Sequence, residues 1–270
     1  MDQMTNMPMG QHCCKGKGIA LVVGLFLIGL AIVASSFIVA DTFYKVKALS
    51  NAISVTGSAE KIVKSDTVKW TCDFSRTVSA EMLKDGTNQM KSDLALILRT
   101  FKQRDVQDSD ITVQSLNISQ ICESQNNVIY DQSGKQNCAG NRLSGYSLQQ
   151  SILVQSGDVD KITKLSQEAA SYFIDQGIIF SSQGIEYYYS KLGDLKMDLI
   201  AEATSNAKTR AEQIAASTGS GLGWLQSAGI GVFQVTAVNS TDISDYGYYD
   251  TSALEKKVTA VVKAAFTLSK

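Results

Sequence analysis

Hydrophobic and polar positions divide this chain into one long apolar block and a series of shorter periodic segments. Residues 18–40, with Gly18 and Ala40 at the ends, run for 23 residues without a charge. At about 1.5 Å per residue a helix of that length reaches roughly 34 Å, enough to cross a hydrocarbon core of about 30 Å. A soluble helix of that length carries a polar stripe, and none is present. The block predicts one transmembrane anchor between a short tail, 1–17, and a connector, 41–52, that leads into a large domain, 53–270.

Past the connector the period changes. ISVTG at 53–57 predicts a strand ending at Gly57. Val68, Trp70, Cys72 and Phe74 alternate with Lys69, Thr71, Asp73 and Ser75, the period of a half-buried strand that turns Cys72 inward. Ser79 is the predicted cap of a helix to Gln103, with Leu83, Met90, Leu94, Ile97, Leu98 and Phe101 on its buried face. The strand that follows, 111–122, changes apolar phase between Val113 and Leu116, which predicts a bulge. After a polar stretch comes a strand with Tyr146, Leu148, Ile152 and Val154 in phase. A helix from Asp158 then buries Val159, Ile162, Leu165, Ala169, Tyr172 and Phe173.

A strand containing Tyr187, Tyr188 and Tyr189 leads to the longest soluble helix, 194–218. There Leu199, Ala203, Ala207, Ala211 and Ala215 recur every fourth residue as a narrow face for close packing. Gly219 ends that helix, and a strand is predicted from Trp224 through Val238. An acidic, tyrosine-rich loop, 239–252, precedes a closing strand with Val258, Ala260, Val262, Ala264, Phe266 and Leu268 in phase. The order β-β-α-β-β-α-β-α-β-β behind one apolar helix predicts an α+β fold with helices packed on antiparallel sheets.

The apolar block is too long for a signal peptide, and its end places Ile38 where a small residue is wanted. Ala34-Ser35-Ser36 leaves a second processing open, cleavage near residue 36. Charge does not orient the span, since Lys15 and Lys17 face Lys45 and Lys47 across it. The short tail favours an N-terminus in the cytoplasm and a domain outside it. His12, Cys13 and Cys14 stand beside the membrane, and a reduced cytosolic tail is the expectation for them.

Composition removes several chemistries. The chain has a net charge of −1, one histidine and one proline, and His12 and Pro8 both precede the apolar block. The domain therefore has no imidazole, so Ser-His-Asp and Cys-His catalysis and histidine metal sites are absent from it. Its mildly acidic balance gives no footprint for nucleic acid. Asp105, Asp108 and Asp110 lack the glycine and closing glutamate of a calcium loop, so a solvated turn is expected. GSGLG at 219–223 follows a helix, whereas a dinucleotide loop follows a strand. Neither enzyme nor cofactor is expected.

Cys122 and Cys138 bracket the polar stretch and are expected to staple a β-hairpin, with Cys72 left as a buried thiol. Closing a loop of about 15 residues contributes roughly 3 kcal/mol. Such a bond belongs to an oxidising compartment.

Several segments together resemble the SIMPL domain family of envelope proteins, which includes periplasmic immunogenic and oxidative-stress defence proteins. Val55-Thr56-Gly57 followed by Ser65-Asp66 is similar to the family's opening VxG and Pro-Asp, with serine in place of proline. Asp110-Ile111-Thr112, Gly145-Tyr146, the helix start at 158–162, and the ladder Ala203, Ala207, Ala211 with Gly219–Gly223 follow in the family's order. The resemblance implies no catalytic residues. It implies self-assembly, because some relatives form ring- or cage-like oligomers. The expectation is a membrane-anchored scaffold whose partners are the lipid bilayer and further copies of itself. The alternative is an extracytoplasmic module for a small-molecule ligand or stress response, using the tyrosines of 187–189 or the 239–252 loop.

Overall fold

A computed structural model of the chain describes residues 15–49, 52–124, 126, 128–134 and 136–269. His12, Cys13 and Cys14 lie outside the described residues. Helix α1, Lys15–Leu49, contains the whole predicted span and its continuation into the connector. Strands β1 (Ala52–Lys64) and β2 (Thr67–Ser79) lead to α2 (Leu83–Gln103). Then come β3 (Ile111–Val113), β4 (Asn117–Cys122), β5 (Val128–Tyr130), β6 (Gln136–Cys138) and β7 (Leu143–Ser156). Helix α3 (Val159–Asp175), β8 (Ile179–Tyr188) and α4 (Leu192–Ser217) follow. The chain closes with β9 (Gly221–Ile230), β10 (Gln234–Ala237), β11 (Tyr248–Tyr249) and β12 (Glu255–Ser269). The α+β class with antiparallel sheets is as expected; a short parallel ladder joins β10 to β11.

Two compact units divide the chain. The larger takes Thr56–Thr209 and Gly229–Lys263; the smaller takes the chain up to Val55, Arg210–Ala228 and Ala264–Lys270.

In the larger unit β2 is the central strand of one sheet, antiparallel to β7 on one side and β8 on the other. Its alternation sends Val68, Trp70, Cys72 and Phe74 to the helix side, where all four are at most 1 % exposed. Helices α2 and α3 cover that face. The Trp70 ring lies 5.5 Å from Phe101, and Phe173 lies 4.7 Å from Phe180. The one polar atom of the Trp70 ring is satisfied, because its Nε1–H donates to Ser182 Oγ at 2.8 Å. Asp158 caps α3 by accepting from the Lys161 N–H.

A second core lies between α4 and the other large sheet. Leu195, Leu199 and Ala203 pack with Val235, Val258, Ala260 and Val262. Small side chains on α4 let the backbones come close. A Cβ added at Gly57 would sit 2.2 Å from the Ala203 carbonyl oxygen. This overturns the expectation that β1 ends at Gly57: the strand runs on to Lys64, and the glycine is there for the helix that crosses it.

In the smaller unit Ala211, Ala215, Ala264 and Phe266 are buried, and β9 pairs with β12. Gly219 has φ of 70°, and the Ser220 N–H returns to the Ala215 carbonyl, a glycine stop for α4.

Other boundaries also move. Ser79 makes no capping bond; a 3-10 turn, Ala80–Met82, intervenes before α2. The expected bulge in 111–122 is a break between β3 and β4. Val113 faces Ile152 and Asn117 faces Gln149, so four steps on one side match three on the other. Tyr172 stays 38 % exposed, its ring edge-on to Phe173, because Phe173 occupies the core at that turn. The strand expected through Val238 breaks after Ile230 and resumes at Gln234. Leu268, next to the last residue of β12, is exposed rather than buried.

Candidate functional site

The tyrosines of β8 and the 239–252 loop meet, but they do not form an open stacking platform. Tyr187 is buried, its hydroxyl 3.1 Å from that of Thr163, and its N–H donates to the Thr251 carbonyl at 2.7 Å. Tyr188 stacks on Tyr249 with ring centroids 6.1 Å apart. The residues that suggested a ligand platform instead fasten the end of the loop to the sheet.

Lys256 completes that fastening, and the sequence reading did not single it out. It is the second residue of β12, in phase with Val258 and Ala260, so the alternation turns it inward, and its side chain is fully buried. Its ammonium donates to the carbonyl oxygens of Asp250 and Ala253 and lies 5.7 Å from the centre of the Tyr249 ring. Burial pushes its pKa down, with the Asp250 charge opposing. The Asp250 carboxylate accepts from the Ser252 and Ala253 N–H groups and the Ser252 hydroxyl. Burial alone would raise that carboxyl; the hydrogen bonds outweigh it and hold it below the usual range.

The first half of the loop borders a groove. Residues 240–245 overhang the face of β10 and β12 that carries Gln234, Thr236, Lys257, Thr259 and Val261, enclosing about 800 Å³. The Gln234 side chain holds the loop there, donating to the Ser244 carbonyl at 2.6 Å and accepting from its N–H at 3.4 Å. Aliphatic surface from Ile230, Val232 and Val261 lines one part; hydroxyl and amide groups line another. Lys257, Glu60, Asp242 and Asp245 place charges of both signs around it. The groove can bind by shape, hydrogen bonds and apolar contact.

The remaining candidates have structural surroundings. Cys122 and Cys138 form a disulfide with Cα atoms 5.5 Å apart. It closes the polar loop as expected, joining β4 to β6, and the loop also holds a short hairpin of its own, β5–β6. Cys72 is a free, buried thiol whose pKa is pushed up by burial and further by Asp73. Asp105 and Asp108 are exposed, and Asp108 pairs with Lys102 at 3.3 Å. Among the described residues no group of three His, Cys, Asp or Glu side chains is placed to hold a metal. Arg76 forms a two-pronged ion pair with Asp93, tying β2 to α2; the Asp93 hydrogen bond raises the guanidinium pKa. Gly18 and Ala40, the expected ends of the anchor, both fall within α1.

A family model described as SIMPL, a protein of unknown function (DUF541), matches residues 53–266. No curated protein matches the chain.

Proposed function

This chain belongs to the SIMPL family, and we propose that it is a membrane-anchored extracytoplasmic protein that assembles with copies of itself into a closed ring or cage. The observation that carries the anchor is α1. From Val23 to Lys45 nothing among the described residues packs over this apolar helix, every residue except Gly24 being exposed. Left in water, a surface of that size is a large hydrophobic penalty; in a bilayer it is solvated. The disulfide supports a domain on the oxidising side, with the N-terminus in the cytoplasm.

Assembly follows from confinement. Anchored copies share a plane and an orientation, which raises their effective concentration without a new contact. Identical subunits joined head to tail close into rings when the rotation allows. The protein is proposed to act as a scaffold rather than as an enzyme. Membrane fractions washed with carbonate, followed by N-terminal sequencing, test the anchor. Retention with the tail intact is expected; release, or a start near residue 36, contradicts it.

The groove beneath residues 240–245 favours a second reading, an extracytoplasmic ligand-binding module. A thermal-shift screen of small polar-apolar compounds separates the two. A hit abolished by Thr259→Trp, with a protein of single-copy mass, would favour the module over the scaffold.

A further inference from the structure

We propose that the groove beneath residues 240–245 binds a short peptide with both ends free and an aliphatic residue at its amino end. This rests on the ligand-binding reading of that groove given above, names its ligand class, and does not depend on assembly.

The floor of the groove is two cross-strand pairs. In the register of β10 and β12, Gln234 lies opposite Thr259 and Thr236 opposite Lys257. Val235 and Val258 between them turn toward α4, so the alternation sends these four to the other face. Gln234 is occupied by the roof, both ends of its amide being bound to Ser244. The other pair is unoccupied. Thr236 is only 4 % exposed, yet among the described residues its hydroxyl has no hydrogen-bond partner. The open side of that residue is the groove, where a ligand oxygen would satisfy it. Beside it, the Lys257 ammonium has no carboxylate partner among the described residues. A hydroxyl and an ammonium on facing positions, with Cβ atoms about 5 Å apart, suit one carboxylate.

Charge excludes the simpler occupants. The lining carries one ammonium, Lys257, against three carboxylates, Glu60, Asp242 and Asp245. A lone carboxylate would meet Lys257 within a net negative surround, and a lone amine would leave Lys257 and Thr236 unmatched. A ligand with one charge of each sign answers both.

Its length follows from β12. Val261 stands four residues beyond Lys257 on the same face, about 14 Å along the strand. With Ile230 and Val232 it makes the aliphatic part of the lining. About four extended residues span that distance, and a single amino acid does not. The whole lining falls within the larger compact unit, and the Gln234 clasp holds the roof in place before any ligand arrives.

Calorimetric titration of the full chain in detergent with leucyl-trialanine is the test. Amidating its carboxylate or acetylating its amine should each weaken binding about tenfold. In Lys257→Gln the free peptide should bind about tenfold more weakly, and amidation should have no further effect. Thr236→Val, of nearly the same shape, should weaken the free peptide more than its amide. Thr259→Trp, which fills the groove, should abolish binding. Equal affinity for peptide and amide, or an amidation loss that persists in Lys257→Gln, overturns the proposal. Should the peptide fail while another compound binds and is lost in Thr259→Trp, the peptide class is wrong and the ligand-binding reading stands. No binding by either overturns both.

Discussion

Lys256 and Asp250 are joined through the main chain: the buried ammonium binds the Asp250 carbonyl, while the Asp250 carboxylate caps the turn that follows. The loop end is held from both sides by charged hydrogen bonds, each worth about 1.5–3 kcal/mol when its partner is left unsatisfied. Lys256→Met keeps the stem's packing and orphans two carbonyls. It should lower stability by about 1–3 kcal/mol and speed hydrogen exchange at 250–254. Unchanged exchange there would contradict the anchoring role.

Gly57 tests the close passage of α4 over β1. Gly57→Ala would put a methyl against backbone atoms that have no room to yield, costing about 2–3 kcal/mol or more. Gly193→Ala, where nothing lies within 4 Å of the added methyl, should be neutral or slightly stabilising by comparison. Equal melting temperatures for the two variants would contradict the packing.

Acid should weaken the fold through Asp66 and Asp250. Burial alone would raise both carboxyls, and hydrogen bonds from Ser190 and Thr67, or from Ser252 and Ala253, outweigh it and set them below 3.8. With the folded value below the unfolded one, their stabilisation is complete above 3.8 and disappears as pH falls through the folded values. Urea midpoints should hold from about pH 7 to 5 and drop below about pH 4. The Asp66→Asn, Asp250→Asn double variant should lose part of that drop; an acid limb as steep as the parent's would contradict the assignment.

The disulfide closes a 16-residue separation. Replacing Cys122 and Cys138 with serine should cost at most about 3 kcal/mol. The expected local effect is proteolytic cleavage within 123–137 before the rest of the domain. Peptide mapping without reduction should recover the 122–138 linked pair, with Cys72 alkylated only after unfolding.

Much of this fold was legible because burial on one face leaves a period. Trp70, Cys72 and Phe74 announced β2, and the alanine ladder announced the buried face of α4. What stayed hidden depends on partners distant in the chain. Gly57 reads as a stop until α4 is seen crossing it, and the strand pattern carries no sign of the 250–253 turn that supplies the Lys256 ammonium with its partners. The tyrosines of 187–189 and the 239–252 loop stand in the sequence as alternative candidates, and only the fold brings them together. Their role reversed, since ring stacking with Tyr249 consumes Tyr188. The groove had no sequence signal, because its lining comes from alternate positions of β10 and β12 together with the overhanging loop.

The mass of the full chain, extracted in mild detergent and measured by light scattering with the detergent contribution subtracted, tests the anchored assembly most directly. More than four copies per particle, each with its N-terminal tail, is the predicted result. A particle of one copy at micromolar concentration would contradict it.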